Sequence, residues 1–144
     1  MIKIICVGKL KETYLKEACT EYKKRISKYT NIEIIELKDS NIIKEKEEIL
    51  KHINKKDYII TLQLDGNMID SVELSKKIDS IFITNPDVTF IIGGSDGLDD
   101  EIKKLSNYSL SFSKLTFPHQ LFRVMLLEQI YRSYKIINNE TYHK

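Results

Sequence analysis

Three stretches hold most of the groups in this chain that can do chemistry. They are a glycine turn, Gly93-Gly94-Ser95-Asp96-Gly97-Leu98, the segment Phe112-Ser113-Lys114-Leu115-Thr116-Phe117-Pro118-His119-Gln120-Leu121, and a terminal Tyr142-His143-Lys144. The turn can line a nucleotide-sized pocket with backbone groups, and His143 is a titratable group within reach of neutral pH. The turn lacks the GxGxxG spacing of a dinucleotide site and the Gly-Lys-Ser/Thr ending of a phosphate loop. Asp96, Asp99, Asp100 and Glu101 crowd the start of the helix expected after it, where they favour the helix dipole and repel phosphate. The pocket therefore suits a ligand without phosphate, held by backbone and tolerant of positive charge. S-adenosylmethionine is such a molecule, with its sulfonium, amino-acid end and adenosine. Neither Ser95 nor Ser113 sits in a GxSxG elbow, so a serine nucleophile has no support.

Short β-branched runs alternate with longer amphipathic ones, which predicts an α/β fold with a parallel-rich sheet flanked by helices. Strands are expected at Ile2 to Val7, Asn31 to Leu37, Asp57 to Leu62, Val88 to Ile92 and Tyr108 to Ser113. Helices are expected at Leu10 to Lys28, with Tyr14, Ala18, Tyr22 and Ile26 inward, and at Ser40 to Asn54 on the surface, with Ile42, Ile43, Ile49, Leu50 and Ile53 as a thin apolar stripe. Further helices are expected at Ser71 to Ile83 behind a cap at Asp70 or Ser71, and at Leu98 to Leu105. A turn is expected around Asp65-Gly66-Asn67. The last helix is expected from Pro118, suited to a first helical position, to about Ile137. Its apolar arc holds Leu126, Leu127, Ile130, Tyr131, Tyr134 and Ile137, with His119 and Arg123 inside it. A buried guanidinium needs a partner. Arg123 is thus either in a structural ion pair, with an acid such as Glu128 or Asp96, or a contact to substrate or a second subunit. The arc is broad enough to cover the sheet and also meet another copy of the chain, which points to a homodimer.

At 144 residues the chain makes one domain, residues 1–144, and 23 basic against 21 acidic side chains leave a formal charge of only +2. That is too little for a protein gripping naked nucleic acid through many phosphates, so any RNA partner must be recognised locally. Cys6 and Cys19 have neither metal-ligand nor CxxC spacing and read as reduced, buried thiols. No metal site is expected. With no leader-like start and no membrane-spanning run, a cytoplasmic location is expected. His52 lies in the lysine-rich segment with no neighbour that suggests a site.

Thr61 to Gly66 (TLQLDG), Ile91 to Leu98 (IIGGSDGL), Ser109 to Ile136 (SLSFSKLTFPHQLFRVMLLEQIYRSYKI) and the closing YHK resemble the RlmH family of SPOUT-class methyltransferases, which methylate N3 of a pseudouridine in large-subunit (23S) ribosomal RNA. The resemblance runs essentially from Met1 to Lys144 and is densest after Thr61. The segment around Lys38 to Ile49 looks shorter than is usual for the family. The resemblance implies a C-terminal trefoil knot, which nothing in the periodicity predicts, and a homodimer that binds S-adenosylmethionine and acts on the assembled ribosome without a metal. It carries cofactor contacts onto Leu62, Gly93 and the run Phe112, Ser113, Lys114, Leu115, Thr116 and Phe117. By residue type alone, Leu62 and Phe112 read as ordinary core. His119, Arg123 and Lys144 are the substrate-side candidates. His143 is the candidate base for the imino proton at N3, with Tyr142 placed to stack on or hydrogen-bond the base. A non-catalytic ribosome- or RNA-binding dimer of the same fold is the alternative. Strand and helix alternation alone would also admit a flavodoxin-like nucleotide enzyme, which the acids after the glycine turn disfavour.

Overall fold

The structure, a computed structural model, describes residues 1–144. Ten elements follow one another as β1 (Ile2–Val7), α1 (Thr13–Ile26), β2 (Ile32–Leu37), α2 (Ile42–Lys51), β3 (Asp57–Met68), α3 (Ser71–Thr84), β4 (Asp87–Ile92), α4 (Asp100–Leu105), β5 (Tyr108–Ser111) and α5 (His119–Ile137). All strand pairs are parallel, in the order β2-β1-β4-β3-β5. The expected five-stranded parallel sheet flanked by helices is thus the observed architecture. No helix is long and apolar enough to cross a membrane.

The two faces of the sheet are covered unequally. Ile2, Ile4, Cys6, Val88, Phe90 and Ile92 pack with α1, α3 and α5 into one large cluster. On the other face Ile5, Val7, Ile59 and Ile91 meet the short α2 and α4 through Ile49 and Ile102. β1 is buried along its whole length, and even Lys3 is inside, paired with Asp57 at 3.0 Å and bonded to the His52 carbonyl. A buried charge is tolerable only with such a partner.

Four local expectations need correction. Tyr14 is 66% exposed, and the inward face of α1 is Leu15, Cys19, Tyr22 and Ile26. Steps of four residues drift about 40° each around a helix, whereas mixed steps of four and three stay on one side. The turn expected at Asp65-Gly66-Asn67 lies inside β3, which loses register after Leu62 and pairs again with β5 at Asn67 and Met68. Gly66 makes that close passage possible, since a Cβ there would sit 2.9 Å from backbone carbons of Ser109 and Leu110. In α2 the stripe is narrower than expected, with Ile43 half exposed and the acid Glu45 buried, accepting from the Ser40 N–H. Pro118 is the residue before α5, not its first helical residue; its ψ of 128° is extended.

The capping prediction at the third helix holds. Asp70 accepts from the Glu73 N–H, and the Glu73 side chain reaches back to the Asp70 N–H, a reciprocal capping box.

Candidate functional site

The chain leaves β1 toward β2 on one side and leaves β4 toward β5 on the other. That divergence puts the sheet's switch point at the carboxyl ends of β1 and β4, the usual ligand position of open parallel sheets. Gly8 ends β1 there with φ 95°, and Gly93 and Gly94 end β4. A Cβ on Gly93 would fall 2.6 Å from the Gly97 carbonyl oxygen, so the turn closes on itself only with glycine. Beside Gly94 stand Val7, Asp39 and the buried Glu45, which brings the short segment after β2 up to the back of the turn.

A cavity of about 310 Å³ lies in front of this turn, at the carboxyl ends of β3, β4 and β5 and beside the start of α5. Leu62, Gly93, Phe112, Ser113, Leu115, Thr116 and Phe117 all line it, so the sequence candidates from three distant stretches converge. Lys114 faces an adjoining recess with Asp65 and Lys103. Gly94, Ser95 and Gly97 of the glycine turn also line the cavity, as do Gln63 and Phe122, for which the sequence carries no site expectation. Ser111 shapes the loop that follows β5, its hydroxyl bridging the carbonyls of Leu64 and Ser113. Phe112 packs on Phe122 with ring centroids 4.7 Å apart, which ties that loop to α5.

His119 lies at the mouth of the cavity, close to Gly8. Arg123 does not open onto it. The guanidinium is 1% exposed, ion-paired to Glu36 of β2, and donates at 2.8 Å to the Gly8 carbonyl. Of the two roles the sequence left open, the structure shows the ion pair, but with Glu36 and not with Glu128 or Asp96. Glu36 also accepts from the Leu10 N–H, and Gln120 accepts from the Lys11 N–H. The loop after β1 is thereby pinned to α5 beside the cavity. Nothing in the spacing of Glu36 and Arg123, 87 positions apart, announced this pair.

The tail is ordered against its own α5. Tyr142 donates to Glu128 at 3.0 Å and packs edge-on to Tyr131 with centroids 4.9 Å apart. Arg132 stacks over the Tyr142 ring and grips Glu128 through Nε and Nη2, while its Nη1 lies 3.0 Å from His143 Nδ1. Burial, followed by the carboxylate of Glu128, pushes the Tyr142 phenol up to about 12, so it is a neutral donor at any physiological pH. The same carboxylate raises Arg132 further. Asn138-Asn139 is a helix stop, with Asn139 at φ 54° and Glu140 held by Tyr29 and Lys135. Lys144 is exposed at the end. An i, i+4 Glu-Arg pair on α5 was the signal for this network.

Cavity and tail are separate in one chain. The cavity reaches α5 as far as Phe122, while the tail docks at Glu128 and Arg132. At the helical rise those positions lie about 9 and 15 Å further along the axis.

The cavity fits the phosphate-free ligand expected from the sequence. It has no lysine or arginine in its wall, a backbone-rich turn on one side and phenylalanine and leucine side chains on the other. Its volume is at the small end of sites for drug-sized ligands.

The fold matches solved methyltransferases: "a probable methylase family protein" from Haemophilus influenzae Rd KW20, at TM-score 0.60 and 11% identity over 99% of this chain and 70% of that one, and the SpoU methyltransferase AviRb from Streptomyces viridochromogenes, at TM-score 0.51 and 10% identity over 98% and 62%. At such identities the likeness shows the fold alone. The family described as "Predicted SPOUT methyltransferase" matches residues 1–143, and the chain belongs to it. Full-length relatives narrow the branch. The ribosomal RNA large subunit methyltransferase H of Clostridium botulinum (strain Alaska E43 / Type E3) is 56% identical over 99% of both chains, and that of Caldicellulosiruptor saccharolyticus is 47% identical over the whole of both.

Proposed function

We propose that this chain methylates large-subunit ribosomal RNA with S-adenosylmethionine, at N3 of a pseudouridine in the assembled ribosome, and that it does so as a cytoplasmic homodimer. The observation that carries the reading is the convergence of Leu62, Gly93, Phe112, Ser113, Leu115, Thr116 and Phe117 on one cavity free of lysine and arginine at the carboxyl ends of β3, β4 and β5, in a chain whose full-length relatives are named ribosomal RNA large subunit methyltransferase H. When bound, S-adenosylmethionine supplies an electrophilic methyl group. The chain supplies the rest. The glycine turn and the loop after β5 hold the donor by backbone contacts, and Phe112, Phe117 and Leu115 keep water from it. Lys114, His119 and Lys144 belong to the RNA side.

The separation of cavity and tail supports a site built by two subunits. Leu121, Val124 and Met125 give α5 an apolar outer strip that its own sheet leaves partly uncovered. A second copy seated there would bring Tyr142 and His143 of one subunit to the cavity of the other. Arg123, itself buried and ion-paired to the exposed Glu36, serves by fixing the loop after β1 and not by touching RNA. The trefoil knot implied by the family resemblance belongs to the same reading.

The test is transfer of labelled methyl from S-adenosylmethionine to ribosomes that lack the modification, with free rRNA in parallel. Label in the assembled particle alone, mapped to N3 of one pseudouridine, is the expected result. Cofactor binding without label in either substrate would favour the non-catalytic ribosome-binding dimer.

A further inference from the structure

A guanidinium has five N–H donors and no acceptor. The 3.0 Å contact between Arg132 Nη1 and His143 Nδ1 therefore fixes which ring nitrogen keeps its lone pair: Nδ1 accepts, and the proton of the neutral ring sits on Nε2. Arg132 is not free to turn away, because its Nε and Nη2 are both held on Glu128, and Tyr142 rests on its face and bonds the same carboxylate. The ring is presented with an N–H pointing outward and its only basic nitrogen occupied. That is the arrangement of a hydrogen-bond donor, and it is the reverse of what a general base needs.

We infer that His143 works in methyl transfer as a hydrogen-bond donor through Nε2–H to a carbonyl oxygen flanking the target nitrogen, and that Glu128 and Arg132 are the positioning residues that hold it so. The inference rests on the proposed rRNA reaction. In it, the imino proton at N3 leaves to water or hydroxide and ends in bulk solvent. The resulting anion is shared between N3 and the adjacent carbonyl oxygens, and the Nε2–H stabilises its oxygen end as an oxyanion hole does. N3 then attacks the sulfonium methyl carbon as the carbon–sulfur pair returns to sulfur. Electrons and protons balance without the imidazole gaining or losing a proton. The assignment replaces the base role expected of His143.

Replacement by glutamine separates the two roles, since a glutamine amide N–H stands about where Nε2–H stands and has no basic nitrogen. In single-turnover transfer to unmodified ribosomes, His143→Gln is expected to keep the rate within about tenfold of the unaltered dimer, while His143→Ala falls about 10²- to 10³-fold. His143→Asn, whose amide mimics the other nitrogen, should fall with alanine. The unaltered rate should also keep rising by about tenfold per pH unit from 7 to 8.5, past the range where an ordinary imidazole base is already fully deprotonated. Arg132→Ala should lower kcat with little change in the ribosome KM or in cofactor affinity, and Arg132→Lys should restore part of the loss. Independently of turnover, nitrogen-15 shifts of the His143 ring should show a protonated Nε2 and a bare Nδ1 in the unaltered dimer, with the other tautomer gaining in Arg132→Ala. His143→Gln as slow as alanine in an otherwise active enzyme, or a proton on Nδ1 of the unaltered protein, would overturn the inference. No transfer by the unaltered dimer would instead sink the rRNA reading, and the nitrogen shifts would still decide the donor geometry.

Discussion

The cavity and the tail are built on opposite physical plans. The cavity is shaped by backbone: Gly93 lies so close to the Gly97 carbonyl that no Cβ fits on it, and the walls mix apolar side chains with hydroxyls and hold no lysine or arginine. The tail is made by side chains: one carboxylate, Glu128, gathers an arginine and a tyrosine, and the arginine in turn meets a histidine. Backbone geometry suits holding a ligand of fixed shape, since it leaves little to rearrange. A side-chain network suits a group that must be aimed, because each member fixes the next one's orientation. The proposed methyl transfer needs both, and a single chain keeps them apart.

The largest expected effect breaks that pair outright. Deleting Tyr142 to Lys144 should reduce methyl transfer by about 10³-fold or more while cofactor affinity, read by calorimetry, changes by less than about twofold. Mixing the deleted chain with a Gly93→Val chain sharpens the result: a heterodimer holds one intact cavity and one intact tail, so transfer should return if the site spans two subunits. Persistent loss in the mixture would place cavity and tail of one site in the same chain.

Next in size is the buried arginine that braces the loop after β1. Arg123→Met should cost about 2–3 kcal/mol in urea unfolding, below the usual range for breaking a buried pair because Glu36 is 36% exposed and keeps the Leu10 N–H. If Arg123 contributed only through RNA, stability would be unchanged. Gly93→Ala comes close behind. Its Cβ must push the Gly97 backbone aside, so cofactor affinity should fall by at least about tenfold with a stability loss on the order of 1–2 kcal/mol. Tail docking, followed by Tyr131 and Tyr142 signals, should be unaffected by either substitution.

The smallest effect concerns a thiol outside both regions. Burial holds the Cys6 thiol up at about 12 and raises Cys19 as well. For a raised pKa the neutral form is shared by folded and unfolded chains below about 9, and the folded state resists ionisation from there to about 12. Alkylation at pH 8 should therefore be slow in the folded protein and become rapid only on unfolding. Fast labelling of the native chain would show that α1 opens from the sheet far more often than its packing implies.

Much of this was legible from composition and order. The β-branched run Ile2 to Val7, the Asp70 cap and the apolar row of α5 each follow from local rules that hold wherever the segment finds its partner. The errors are also local in kind. Counting in fours points Tyr14 inward although it is exposed, and Asp65-Gly66-Asn67 has the residues of a turn yet resumes pairing with β5 because Gly66 lets two backbones touch. Only motif resemblance points from the sequence to the candidate cavity. Leu62 and Phe112, judged by residue type alone, look like any core residue.

What the sequence determined by itself is the set of elements and the parallel sheet they form, because periodicity, capping and glycine placement act over a few residues. Only the tertiary structure decided who meets whom. It paired Arg123 with Glu36, set Glu45 behind Gly94, and turned His143 so that Arg132 faces its Nδ1. Such contacts join side chains far apart in the chain, or fix a ring's orientation, and depend on directions in space that no local pattern encodes.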